Sequence, residues 1–210
     1  MKINRLAARL CMCALVLFRA LSLYADGKDS LSRKMIHIAG IDVKPAYVFP
    51  THEFFAGNNA AFSPIRKNLS VHLKYGFKFA PDTYFGRMYP HAVQGIGVGY
   101  NTFFHSSELG NPWSVYAFQT SRIASLTPRL SLDYEWNFGA SFGWKKYDAE
   151  SNPYNRVVGS KINAYIHLGF LLNWQLDTQT NLRAGIGVTH FSNGNTAYPN
   201  AVSYTHLRAH

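Results

Sequence analysis

A histidine and a serine two positions apart, His190 and Ser192, are followed at once by Asn193 and Gly194. On an extended strand, residues i and i+2 project from the same face. An imidazole beside a hydroxyl can take its proton while the oxygen attacks an ester carbonyl, the chemistry of a nucleophilic serine with its general base. A turn at Asn193-Gly194 would stand near enough to donate hydrogen bonds to the developing oxyanion. By spacing alone the bland alternative weighs more, since a His and a Ser at a strand end are more often loop-edge polar residues.

Other chemistry-bearing residues point to structure. Asp133 and Glu135 share a strand face and resemble a carboxylate pair, but charge pairing inside a narrow barrel explains them more simply. His72 and His167 fall on polar strand faces and are expected in the same interior. Gly95-x-Gly97-x-Gly99 has strand spacing and no following helix, so it is not a nucleotide-binding loop.

The elements that must carry His190 and Ser192 are strands. Leu130, Leu132, Tyr134, Trp136, Phe138, Ala140, Phe142 and Trp144 alternate with Arg129, Ser131, Asp133, Glu135, Asn137, Gly139, Ser141, Gly143 and Lys145. Period two over that length is a strand. Residues 161–176 repeat the pattern, with Leu171 the one apolar residue on the polar face, and 69–79 and 95–101 follow it less strictly. Residues 114–126 are strand-like but mixed, 43–49 read as a first strand, and 181–193 as the last intact one. Turn-rich connections containing Gly57-Asn58-Asn59 and Ser151-Asn152-Pro153 separate them, and no helical periodicity interrupts.

Strands of this length, apolar on one face and polar on the other, predict an all-β fold: a small antiparallel transmembrane β-barrel of about eight strands when complete, with about seven present. Trp113, Trp144 and Trp174 are candidates for the interfacial aromatic girdles. A soluble sandwich or lipocalin-like barrel would turn the apolar face inward, and alternation alone does not say which face is inside. Asp133, Glu135 and the nearby Lys161 favour a charged lumen.

The N-terminus sets the compartment. Lys2, Arg5 and Arg9 precede the apolar run Leu10–Phe18, and Ala25 offers a cleavage point, so residues 1–25 read as a signal peptide. The run is too short for a membrane-spanning helix and Arg19 interrupts it. Cys11 and Cys13 would leave with the signal, which removes disulfides and thiol chemistry from the mature chain. The formal charge of the full chain is +10. Residues 26–201 hold 16 bases against 11 acids, a modest excess that suits phosphorylated lipid head groups and gives no reason to invoke nucleic acid.

The last segment reads as foreign. The string Val202 to His210 resembles a translated transposon-end sequencing adapter, so the barrel is expected to span 26–201 and to lack its final strand. His206 and His210 are accordingly no metal site.

The run His190-Phe191-Ser192-Asn193, followed by Pro199-Asn200, resembles the signature of the lipid A 3-O-deacylase (PagL-type) family, also known as acyloxyacyl hydrolases. The resemblance implies a small outer-membrane barrel that removes the ester-linked 3-hydroxyacyl chain from lipid A of lipopolysaccharide, without metal or cofactor. It implies that His190 is the base, Ser192 the nucleophile, and Asn193 a contributor to the oxyanion hole, beside which the turn residue Gly194 is the further candidate donor. The family's acid would fall near position 204, where this sequence has Tyr204, inside the suspect tail. The alternatives are a non-catalytic small barrel serving structure, adhesion or lipid binding, and another lipid-acting barrel such as an acyltransferase or phospholipase. Oligomeric state and acyl-chain preference are not legible.

Overall fold

A computed structural model describes residues 34–194, 196, 197 and 199, and the backbone of 204–209. The expected signal peptide with its two cysteines lies outside the described residues. Residues 34–36 and 79–90 form one compact unit, and 37–78 with the described part of 91–210 form the other. In the smaller unit, residues Tyr84–Met88 make a one-turn helix. Its N-cap is Thr83, whose hydroxyl accepts the Gly86 N–H at 3.0 Å, as an orphan amide of a first turn requires.

The strands close into an antiparallel barrel in sequence order. They are β1 (Met35–Val48), β2 (Lys67–Phe79), β3 (Val93–Thr102), β4 (Gly110–Thr127), β5 (Leu130–Trp144), β6 (Ile162–Gln175), β7 (Asn181–Ser192) and β8 (Tyr204–Ala209). The helices are α1 (Glu53–Ala56), between β1 and β2, and α2 (Tyr84–Met88), between β2 and β3. With four and five residues, they are too short to leave a helical period in the sequence.

The seven expected strands are present. The first begins earlier than its alternation suggested, because Ile36 and His37 are both exposed and this break of phase hides the period. The mixed pattern of β4 comes from irregular pairing with β5 between Arg122 and Ala124 and between Ser125 and Thr127; each shift moves later side chains to the other face. Where no strand was expected, the six-residue β8 pairs with β7 and, through Ala46, Tyr47 and Val48, with β1. Two open strand edges demand partners for their N–H and C=O groups, and that backbone demand is nearly indifferent to side chains.

The structure decides which face is inside. The apolar residues point outward: Leu73, Ile96, Phe138, Leu168, Phe170, Ile186 and their neighbours are half to two-thirds exposed. Their polar alternates are buried, among them Ser70, His72, Lys74, Asn101, Glu135, Asn137, His167 and Thr189. This is the reverse of a soluble barrel, and an outer apolar belt of this extent suits lipid. No helix among the described residues is long and apolar enough to cross a membrane, which does not bear on strands.

The lumen is filled, and its charges are matched across strands. Glu135 on β5 accepts from Lys74 on β2 and lies 3.6 Å from Lys44 on β1 and 3.7 Å from Arg183 on β7. Arg183 also donates to Asp42 at 3.1 Å. The expected interior role of Glu135 is therefore met, by Lys74, Lys44 and Arg183. Lys161 is no part of the network; it lies exposed just before β6. Asp133 accepts from Ser131 at 2.7 Å and Asn173 at 2.9 Å. His72 is joined to the Tyr116 hydroxyl at 2.9 Å and to Ser70 at 3.0 Å, and His167 to Thr189 at 2.8 Å.

Gly97 and Gly99 face this interior. A Cβ on Gly97 would fall 2.4 Å from the Tyr116 ring, and one on Gly99 2.3 Å from the His72 ring. The glycine repeat of β3 is thus space for lumen side chains.

One aromatic lies on the unexpected side. Trp113 and Trp174 are outward and about half exposed, but Trp144 is 3% exposed and packs inward. Gly143, at φ +90°, is the cause. It lies in the irregular end of the β4–β5 ladder, where Gly110 pairs with Trp144 out of step with Trp113 and Phe142. The positive φ turns the next side chain into the lumen, where the Trp144 indole N–H donates to Ser141 at 2.9 Å.

Candidate active site

β7 carries the His-Phe-Ser run to one end of the barrel. Its partner β6 fixes the register: His190 stands opposite Ile166 and Ser192 opposite Ala164. Along β7, Leu182, Ala184, Ile186 and Val188 are exposed, Gly187, Thr189 and Phe191 are buried, and His190 and Ser192 are half-buried. Parity therefore places both candidate side chains on the outward, apolar face.

Phe191, between them, points the other way. It is fully buried, with its ring 5.0 Å from Trp144, 5.4 Å from Tyr165 and 6.4 Å from Phe103, centroid to centroid. This anchor fixes the end of β7, and a strand whose odd residue is held in the lumen must present its even residues outside. Sequence reading gave Phe191 no role, although its place in the alternation was the signal.

Beyond Ser192 the chain turns sharply. Gly194 has φ +62°, a conformation easy for glycine, and its N–H donates to Ser192 Oγ at 3.0 Å. The Asn193 carbonyl accepts the Thr196 hydroxyl at 2.6 Å and its N–H at 3.2 Å. Asn193 Nδ2 donates to the Ala197 carbonyl at 2.9 Å. All four candidate residues thus fall within five positions at one strand end. Gly194 holds the serine hydroxyl, and the Asn193 amide is tied into the turn.

The turn rests on the loop between β5 and β6. A Cβ on Gly159 would come within 2.6 Å of the Pro199 carbonyl oxygen and 2.8 Å of that of Ala197. On the other flank, β8 places the backbone of Thr205 opposite His190 and that of Tyr204 opposite Phe191. Position 204, where the family's acid was expected, is therefore one residue out of register with His190.

Among the described residues no group of three or more His, Cys, Asp or Glu side chains is placed to hold a metal ion.

The family model for lipid A 3-O-deacylase (PagL) matches residues 95–201. That is just over half of the chain, and it runs from β3 through the turn that contains the candidate site. The chain belongs to the lipid A 3-O-deacylase (PagL) family. The resemblance read from the His-Phe-Ser-Asn run is thereby established at the level of the family, whose name denotes an ester hydrolase acting on lipid A. Neither the curated proteins nor the solved structures contain a match.

Proposed function

We propose that the protein is an outer-membrane serine esterase that removes the 3-O-linked hydroxyacyl chain from lipid A of lipopolysaccharide. The observation that carries this reading is the placement of His190 and Ser192. In a chain of the deacylase family, they stand together on the outward apolar face of a barrel strand, at its end. A side chain there meets the lipid boundary, where an acyl chain can lie along apolar surface while its ester remains at the polar edge.

The chemistry follows from the side chains. His190 takes the proton of Ser192 as Oγ attacks the ester carbonyl, and a tetrahedral oxyanion forms. The Asn193 side chain and the Gly194 N–H are its proposed donors. The glucosamine hydroxyl leaves with the proton held by His190, and an acyl-serine remains. Water, deprotonated by His190, attacks the acyl-serine; the acyl–Oγ bond breaks, Ser192 Oγ takes the proton back from His190, and the 3-hydroxy fatty acid is released. Gly194 donates to Ser192 Oγ, so its N–H must pass to the substrate oxygen as the hydroxyl becomes an ester. No metal or cofactor enters these steps.

The compartment is part of the proposal. Residues 1–25 act as a signal peptide, the start of β1 faces the periplasm, and β7 therefore ends at the outer leaflet. The connections at the opposite end between β4 and β5 and between β6 and β7 are only a few residues long, as periplasmic turns of such barrels are.

The test is mass spectrometry of lipid A from a host of defined lipid A that expresses the protein, beside Ser192→Ala. Loss of one hydroxyacyl chain with the wild type only is expected. Unchanged lipid A, with the barrel shown to be in the outer membrane, would overturn the reading and favour a non-catalytic barrel.

A further inference from the structure

The β5–β6 loop is tied down more firmly than a surface loop needs to be. Asn155, fully buried, donates through Nδ2 to the Glu108 carbonyl at 2.7 Å and the Lys145 carbonyl at 2.9 Å. Asn152 donates to the same Glu108 carbonyl at 2.9 Å. Asn155 Oδ1 accepts the Val158 N–H at 3.2 Å, and the Val158 carbonyl accepts the Tyr147 N–H at 2.7 Å. Val157 and Val158 are buried in the core. Glu108 itself accepts the Ala60 N–H at 2.9 Å, so the loop is locked to the β3–β4 connection and, through Glu108, to the β1–β2 connection.

What the lock presents is Gly159. Its missing Cβ is the space into which the carbonyls of Ala197 and Pro199 descend. The Ala197 carbonyl is also the acceptor of Asn193 Nδ2. One carbonyl thus sits between a glycine of the locked loop and the amide beside the nucleophile. Any side chain at 159 must push that carbonyl away and take Asn193 with it.

We infer that Gly159 is a positioning residue of the esterase site: through the Ala197 carbonyl it sets where the Asn193 amide stands relative to Ser192. The inference rests on the reading of Ser192 as nucleophile and Asn193 as oxyanion donor. It adds that the oxyanion hole is set from the β5–β6 loop, by packing that no residue of the His-Phe-Ser-Asn run reveals. A displacement of about 1 Å at a reacting centre is enough to cost roughly 100-fold in rate.

The experiment uses the full chain folded in detergent, with the folded fraction read from its shifted mobility on unheated gels. Hydrolysis of a p-nitrophenyl ester is followed for wild type, Gly159→Ala and Asn155→Ala, and Ser192 is titrated with a fluorophosphonate. The expected result is a kcat per folded molecule roughly 10- to 100-fold lower for Gly159→Ala, with KM within about twofold. Asn155→Ala, which unlocks the loop without adding a clash, is expected to lower kcat in the same sense. It decides the matter if Gly159→Ala does not fold. A purely structural role would reduce the folded fraction and leave kcat per folded molecule unchanged, and that outcome overturns the inference. A folded wild type that neither hydrolyses the ester nor takes the label instead sinks the esterase reading beneath it.

Discussion

Phe191 sets its ring edge against the Trp144 indole, with centroids 5.0 Å apart and planes at 72°. The contact lies in the lumen, under a strand end whose outward face carries His190 and Ser192. It joins β7 to the tip of β5, the residue that Gly143 turns inward. The candidate site therefore depends on an interior contact that its own residues do not make.

Phe191→Ala removes a fully buried ring and should destabilise the barrel by about 3–5 kcal/mol. Phe191→Leu fills part of the space and should cost less. Urea-midpoint shifts of the folded barrel in detergent measure both. A midpoint unchanged in Phe191→Ala would show that the aromatic cluster does not hold the strand end.

Lys74 and Glu135 are buried at 5% and 0% exposure and bound to each other across the lumen. Lys74→Met leaves the Glu135 carboxylate short of its closest cation and should cost about 3–5 kcal/mol. Lys74→Met with Glu135→Leu should recover part of that loss, because two apolar side chains need no ionic partner. A double variant as unstable as the sum of the singles would contradict this account.

Leu168 lies near the middle of β6 and is 54% exposed on the outer face. Leu168→Arg should cost about 2–4 kcal/mol for folding into lipid bilayers. In a water-exposed position the same change would be nearly neutral. Reversible unfolding from vesicles separates the two cases.

Asp177, in the β6–β7 turn, accepts the N–H groups of Gln179 and Thr180, both at 2.7 Å. These bonds hold its carboxyl below the ordinary carboxylate range. Because the folded value is depressed, the contribution to turn stability is complete above the unfolded value and is lost as pH falls through the folded one. Amide exchange at Gln179 and Thr180, corrected for intrinsic rate, should speed up on acidification, and Asp177→Asn should remove most of that dependence. Exchange equally pH-sensitive in Asp177→Asn would exclude this cause.

Much of the barrel was written in local order. A two-residue period survives any tertiary arrangement, so 130–144, 162–175 and 181–192 were legible as strands, and the closely spaced His190, Ser192, Asn193 and Gly194 were legible as a candidate site. Period two, however, is symmetric between inside and outside. Only closure of the barrel broke that symmetry, by bringing Lys74 to Glu135 across 61 positions and by giving Tyr116 and His72 the space left by Gly97 and Gly99. The inward turn of Trp144 followed from one positive φ at Gly143, which a count of alternating residues passes over. The support of the active-site turn by Gly159 lies in a contact between segments nearly forty residues apart. An absent Cβ leaves no pattern along a chain, and it acquires meaning only when another backbone is packed into its place.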